Sequence, residues 1–171
     1  MSEAEFAPNA DDLVENNRGY SQAFHDAELQ VSPTRRLALV VCMDSRIDVF
    51  AVLGLGNGEA HVIRNAGGVI TDDVVRSLCL SQRLLGTREV MLVHHTDCGL
   101  QKVREDDFRA ELIEEIGVTP TWTLDAFSDP ATDVRQSMRR LELSPFVDSS
   151  HVRGFVYDVT TGTLEEVSPL D

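Results

Sequence analysis

Two short segments of this sequence hold residue types that can do chemistry together: Cys42-Met-Asp-Ser-Arg46 and His95-Thr-Asp-Cys98-Gly99. They offer two thiols and one imidazole. A Cys₂His set suits a borderline-soft ion such as zinc and leaves a fourth position for water. The His-x-x-Cys spacing lets both side chains converge on one ion from a single turn after a strand, whereas Cys42 must arrive from a neighbouring strand. Taken singly, each motif also fits a small thiol packed as a hydrophobe. Two of them at matching strand ends favour a metal. Asp44 and Arg46 follow Cys42 in the same segment. A carboxylate beside a metal can accept a proton from bound water, and a nearby guanidinium keeps it ionised. The alternative for this pair is a salt bridge in a surface loop.

The remaining thiol and imidazoles read differently. Cys79 lies among Val75, Leu78 and Leu80 in a helical stretch and is expected in the core. His94 should point away from His95 if strand alternation persists, so it is expected packed or hydrogen-bonded rather than bound to metal. His25, His61 and His151 have no partner visible in the sequence.

Strands must bring these segments together. Leu37-Ala-Leu-Val-Val-Cys42 is a continuous apolar run of strand length, which suits a parallel strand buried on both faces. Further strands are predicted over Ala60 to Arg64, Glu89 to His94 and Arg153 to Val159. Thr161-Gly162 offers a turn into Thr163 to Val167, a hairpin at the sheet edge. Helices are predicted over Ala10 to Leu29, Asp48 to Leu53, Thr71 to Leu85, Glu105 to Ile116 and Asp129 to Leu143, with Gly54 and Gly86 as stops. Strands alternating with helices imply an α/β fold: a mostly parallel central sheet of four strands with a C-terminal edge hairpin, flanked by helices. In such sheets ligands bind beyond the carboxyl ends of the strands, near a reversal of strand order. Cys42 closes the first strand, Arg64 the second, and His94, His95 and Cys98 follow the third.

Length and composition set outer bounds. The 171 residues are read as a single domain, 1–171, with residues 1–34 as an N-terminal helical arm. The formal net charge of −14 repels phosphate backbones, so no nucleic-acid partner is expected. No apolar run reaches the roughly 18 residues of a membrane span, and the acidic start is unlike a secretory signal. A cytoplasmic location with no membrane partner is therefore expected. Three cysteines in such a chain argue against a disulfide framework and for metal binding or catalysis.

Cys42-Met-Asp-Ser-Arg46, His61-Val-Ile-Arg-Asn-Ala-Gly-Gly68 and His95-Thr-Asp-Cys98-Gly99, in this order and at these separations, resemble the signature segments of the β-class carbonic anhydrases. The resemblance runs from about Leu37 through Asp158 and is to the short bacterial type. It implies zinc held by Cys42, His95 and Cys98, a catalytic pair of Asp44 and Arg46, and reversible hydration of carbon dioxide to bicarbonate and a proton. In a closed state of such sites Asp44 would turn to become a fourth zinc ligand. The resemblance also implies a homodimer, with a tetramer as the larger alternative, in which the N-terminal helix reaches over the partner near the active site. The C-terminal extension that larger members use in higher assemblies has no counterpart after the last hairpin, and His94 stands where many members have glycine. Two thiolates donate more charge than imidazoles, so the working pH is expected above that of a three-histidine zinc site. Relatives on this scaffold hydrolyse carbon disulfide or carbonyl sulfide. That activity, and a closed structural zinc in a non-catalytic dimer, are the alternatives.

Overall fold

A computed structural model describes residues 8–169. The chain divides into two compact units between Gln30 and Val31. Among its described residues the N-terminal unit contains one helix, α1 (Ala10–Gln22), none of whose residues is buried. The sequence predicts this helix as far as Leu29. It ends earlier because a helix with no buried face gains nothing from tertiary packing to extend it.

The second unit is built on a five-stranded sheet in the order β2-β1-β3-β4-β5. Its strands are β1 (Leu37–Cys42), β2 (Ala60–Asn65), β3 (Glu89–His95), β4 (Val152–Tyr157) and β5 (Leu164–Val167). The first four run parallel, and β5 pairs antiparallel with β4. The expected architecture of four parallel strands and an edge hairpin is therefore what forms. β4 stops two residues earlier than the sequence predicts. Asp158 accepts hydrogen bonds from the backbone amides of Thr160 and Thr161 and opens the turn there. Every residue of β1 is buried, as its uninterrupted apolar run requires.

The helices in this unit are α2 (Val49–Leu53), α3 (Asp72–Leu85), α4 (Glu105–Ile116) and α5 (Pro130–Leu143). Local chemistry sets their ends. Thr71 accepts from the Val74 amide to start α3, and Gly86, at φ 77°, ends it in the left-handed region. Asp129 caps α5 through the Thr132 amide, followed by Pro130 in the first turn. Two 3-10 turns, Ala66–Gly68 and Gly99–Lys102, occupy stretches with no element predicted from the sequence.

Strand alternation sorts the core into two layers. Ala38, Val40, Val90 and Leu92 face α3 and α5, where Leu78 and Val134 are fully buried. Leu39, Val41, Val93 and Phe155 face the other side, in the same cluster as Cys42 and Cys98. Gly154 brings α5 close to β4: a Cβ there would lie 2.2 Å from Val134 Cγ1. Cys79 departs from expectation in being half-buried on the flank of α3, because Val74 and Leu78 take the inward positions of the helix. Strand order reverses at β1 and β3, since the chain runs outward from β1 to β2 and then crosses to β3 on the other side. The carboxyl ends of these two strands carry Cys42 and His95, so both thiol segments emerge at the switch point of the sheet.

Candidate metal centre

Cys42, His95 and Cys98 meet at this point. One donor atom from each lies within 4.8 Å of the other two, and all three residues are buried. The two sulfurs are 4.0 Å apart and are not joined as a disulfide. Two thiolates bound at about 2.3 Å in a tetrahedral shell would stand about 3.8 Å apart, so the spacing fits one shared ion. His95 supplies a second sign. Its Nδ1 donates to the Thr96 carbonyl oxygen at 2.9 Å, which turns Nε2 inward. Nε2 is buried and has no hydrogen-bond partner in the protein. A buried imidazole nitrogen is rarely left unpaired, because the lost hydration has to be compensated. Fixing Nδ1–H on a carbonyl while Nε2 faces two thiols is the arrangement of a metal-binding histidine.

The titration of the three groups points the same way. Burial pushes the Cys42 thiol up. The neighbouring His95 imidazole and the backbone amides of Asp44 and Gly67 outweigh this and bring it below the ordinary thiol value. Burial disfavours the charged His95 imidazole, yet the neighbouring Cys42 thiol and its charge raise its pKa. Cys98 is pushed up to about 11 by burial, against the pull of the Leu100 amide, with Cys42 adding to the rise. Without a cation, two thiolates cannot share this pocket. With one, both are stabilised.

The loop after β1 is held by two arginines. Asp44 Oδ1 accepts from the Arg46 amide at 2.9 Å and from Arg46 Nε at 3.0 Å, and Oδ2 accepts from Nη2 at 2.8 Å. This forked pair keeps the Asp44 carboxyl well below the usual carboxylate range. Asp44 Oδ2 also lies 3.7 Å from His95 Nε2, beside the space between the three donors. Arg64, at the end of β2, donates to three carbonyl oxygens of the same loop: Cys42 at 3.0 Å, Ile47 at 3.2 Å and Asp44 at 2.8 Å. Gly68 closes the back of the loop at φ 72°. A Cβ there would stand 2.9 Å from the Cys42 backbone nitrogen, so only glycine lets the chains approach this closely.

The second loop is framed by Gln101, whose side-chain oxygen accepts from the Cys98 amide at 2.9 Å. Asp97, at φ 56°, accepts from Arg46 Nη1 at 2.9 Å and ion-pairs with Lys102 at 2.6 Å. Lys102, then Arg46, hold its carboxyl below the usual range. The sequence motifs contain Arg64 and Asp97 but disclose no role for either, since each acts on a loop distant along the chain. The signal was an arginine and an acid at strand ends beside the thiol segments. His94 faces away from the cluster, fully buried, with Nε2 2.6 Å from Asp133 of α5. That is the packed and hydrogen-bonded role expected for it. His61 bonds Ser81 Oγ at 2.7 Å and the Val31 carbonyl oxygen at 3.1 Å, partners the sequence did not reveal.

Comparison with known proteins agrees with this geometry. The family model for carbonic anhydrase matches residues 37–129. Over 160 residues the chain is 52% identical to β-carbonic anhydrase 1 of Mycobacterium tuberculosis, spanning 93% of this chain and 98% of that protein. The crystal structure of carbonic anhydrase from Streptococcus mutans superposes with a TM-score of 0.88 at 38% identity, covering 95% of this chain and 100% of that one. The chain belongs to the β-carbonic anhydrases, a family of enzymes. It is also 40% identical over 87 residues to the carbon disulfide hydrolase of an Acidianus species, which covers 51% of this chain and 42% of that enzyme. Among the described residues no helix is long and apolar enough to cross a membrane.

Proposed function

We propose that this protein is a zinc enzyme that reversibly hydrates carbon dioxide to bicarbonate and a proton. Cys42, His95 and Cys98 hold the metal, and Asp44 and Arg46 are the catalytic pair. The observation that carries this reading is the buried, unpartnered His95 Nε2, facing two thiols and flanked by a carboxylate that an arginine holds in place. The donor set fits zinc through its softness and its spacing. Bound there, zinc supplies Lewis acidity that activates a water for attack on the carbon of the substrate near neutral pH.

The chain's own groups do the rest. Asp44 is ionised at any working pH, so its Oδ2 accepts a hydrogen bond from the attacking water and orients it. Arg46 bonds both Asp44 oxygens and so holds the carboxylate in its orienting position beside the three donors. Arg64 and Gly68 fix the loop that carries both Cys42 and Asp44, so the nucleophile and the metal donors share one frame.

The homodimer belongs to the same proposal. The N-terminal unit exposes Leu13, Val14, Tyr20 and Phe24, an apolar set suited to covering a partner. Free thiols in the cluster suit a reducing cytoplasm as its compartment.

Stopped-flow hydration of carbon dioxide, with zinc measured on the same sample, tests the reading. About one zinc per chain with fast hydration is expected, and zinc-loaded protein without hydration would overturn it. The match to carbon disulfide hydrolase favours that reaction as the second reading. Hydrogen sulfide release from carbon disulfide, outpacing carbon dioxide hydration on the same preparation, would make it the first.

A further inference from the structure

Arg46 is a long side chain, 45% exposed, on a loop. Its bonds to Asp44 join two residues of one short segment, and the Arg46 amide and Arg64 hold that segment without reaching the second loop. What ties the Arg46 guanidinium to the loop after β3 comes from Asp97. Asp97 lies in the loop after β3, between His95 and Cys98, and its Oδ2 accepts from Arg46 Nη1 at 2.9 Å. The Asp97 carbonyl oxygen accepts from Nη2 at 3.0 Å. Its other carboxylate oxygen, Oδ1, lies 2.6 Å from Lys102 Nζ, so each oxygen of Asp97 has its own cation. Lys102 ends the 3-10 turn that begins after Cys98. The backbone at Asp97 is left-handed, at φ 56°, an uncommon state for a residue other than glycine that persists where the surroundings enforce it.

We infer that Asp97 is a positioning residue: its carboxylate, steadied by Lys102, fixes the Arg46 guanidinium and through it the direction of Asp44. The two loops that leave β1 and β3 are thereby locked in one register. Loss of the lock lets Arg46 drift and Asp44 turn from its orienting position. The effect on turnover rests on the proposed hydration activity, whereas the effect on Arg46 does not.

Asp97→Gly is the sharpest variant, because glycine accepts the left-handed backbone and keeps the carbonyl bond while removing the carboxylate. Asp97→Asn, which also tolerates this backbone, guards against a folding defect. The first readout is solvent exchange of the Arg46 Nε proton by NMR on the full-length protein. Exchange is expected to be on the order of fivefold faster in Asp97→Gly and intermediate in Lys102→Met, given the loss of charge-assisted bonds. The second is a double-mutant cycle on hydration. Asp97→Gly should lower kcat on the order of tenfold with KM little changed, and should add nothing in an Arg46→Ala background. Unchanged exchange in both Asp97 variants, or equal kcat losses with and without Arg46, would overturn the inference. If the parent protein hydrates no carbon dioxide, the proposed function falls while the exchange measurement still decides the role of Asp97.

Discussion

Arginines gather at both ends of this sheet, and they do different things there. At the carboxyl ends, Arg64 gives its donors to three carbonyl oxygens of one loop, and Arg46 grips Asp44 and Asp97 from two loops. At the amino ends, Arg35, Arg36, Arg88 and Arg153 border a cavity of about 580 Å³ with Glu89 and His151. There Arg35 holds Glu59 and Arg153 forks onto Glu166, pairs that stand in solvent. Arg88 is the exception, donating to the Gln82 and Thr87 carbonyl oxygens where α3 ends. The same guanidinium becomes a geometric device when its acceptors belong to the functional loops, as the carbonyl oxygens held by Arg64 and the Asp44 and Asp97 carboxylates held by Arg46 do. It stays a screened surface charge when its acceptor is an exposed carboxylate away from those loops. At the carboxyl end the arginine-held loops also carry a donor left unpaired, His95 Nε2, beside two thiols.

The comparison breaks most severely if the thiols are not the reason for the carboxyl-end framework. Cys98→Ser or Cys42→Ser should reduce zinc retained through gel filtration at least about tenfold and hydration by roughly a thousandfold or more, since a three-donor site loses a thiolate. Cys79→Ser, on the flank of α3, should retain metal and rate. Full zinc occupancy in the Cys98 variant would remove the metal reading altogether.

Asp44→Ala ranks next. Three donors remain, so zinc should stay, while the rate should fall by about a hundredfold for want of an oriented nucleophile. Near-parental hydration would reduce Asp44 to a partner of Arg46 and make the two ends of the sheet alike.

A third effect is set by protons. The metal-free Cys98 thiol, pushed up to about 11, holds its proton throughout the neutral range and must release it to bind metal. Zinc affinity should therefore rise with pH, by about tenfold per unit between pH 6 and 8 for each proton displaced. A chelator-competition titration reads this directly. A flat affinity over that range would mean that both thiols are already ionised without the metal.

The smallest effect sharpens the contrast from the other side. Glu166→Gln weakens the Arg153 pair at the amino end, where both partners are half exposed. Hydration should change by less than about twofold, and the denaturant midpoint should stay within error, as expected of a screened surface pair. A loss comparable to that of Asp44→Ala would show that the amino-end cluster also acts on the site.

Much of this protein was legible in the chain alone, because the signals were local. The apolar run Leu37 to Cys42 suited a strand buried on both faces, and it forms one. Thr71 and Gly86 bound α3 as cap and stop, since a hydroxyl and a left-handed glycine act on amides and carbonyls a few residues away. The start of α5 follows from a similar local cue, the Asp129 cap before Pro130, and the two thiol segments carried their chemistry in residue type and spacing. Where local cues had to be completed by packing, the chain was less informative. The end of α1 and the half-burial of Cys79 both depend on what lies alongside a helix.

Tertiary structure alone decided the relations between segments. That β1 sits between β2 and β3, and so brings Cys42 beside His95, is a matter of strand order, to which hydrophobic periodicity is blind. That Arg64 clamps the loop of Cys42 and Asp44, that Asp97 reaches Arg46 across 51 residues of chain, and that His95 Nε2 is left facing two thiols appear only when distant loops meet. The physical reason is the range of the interactions. Caps and turns act within a few residues of chain, while a hydrogen bond between loops exists only after the sheet has brought them within about 3 Å.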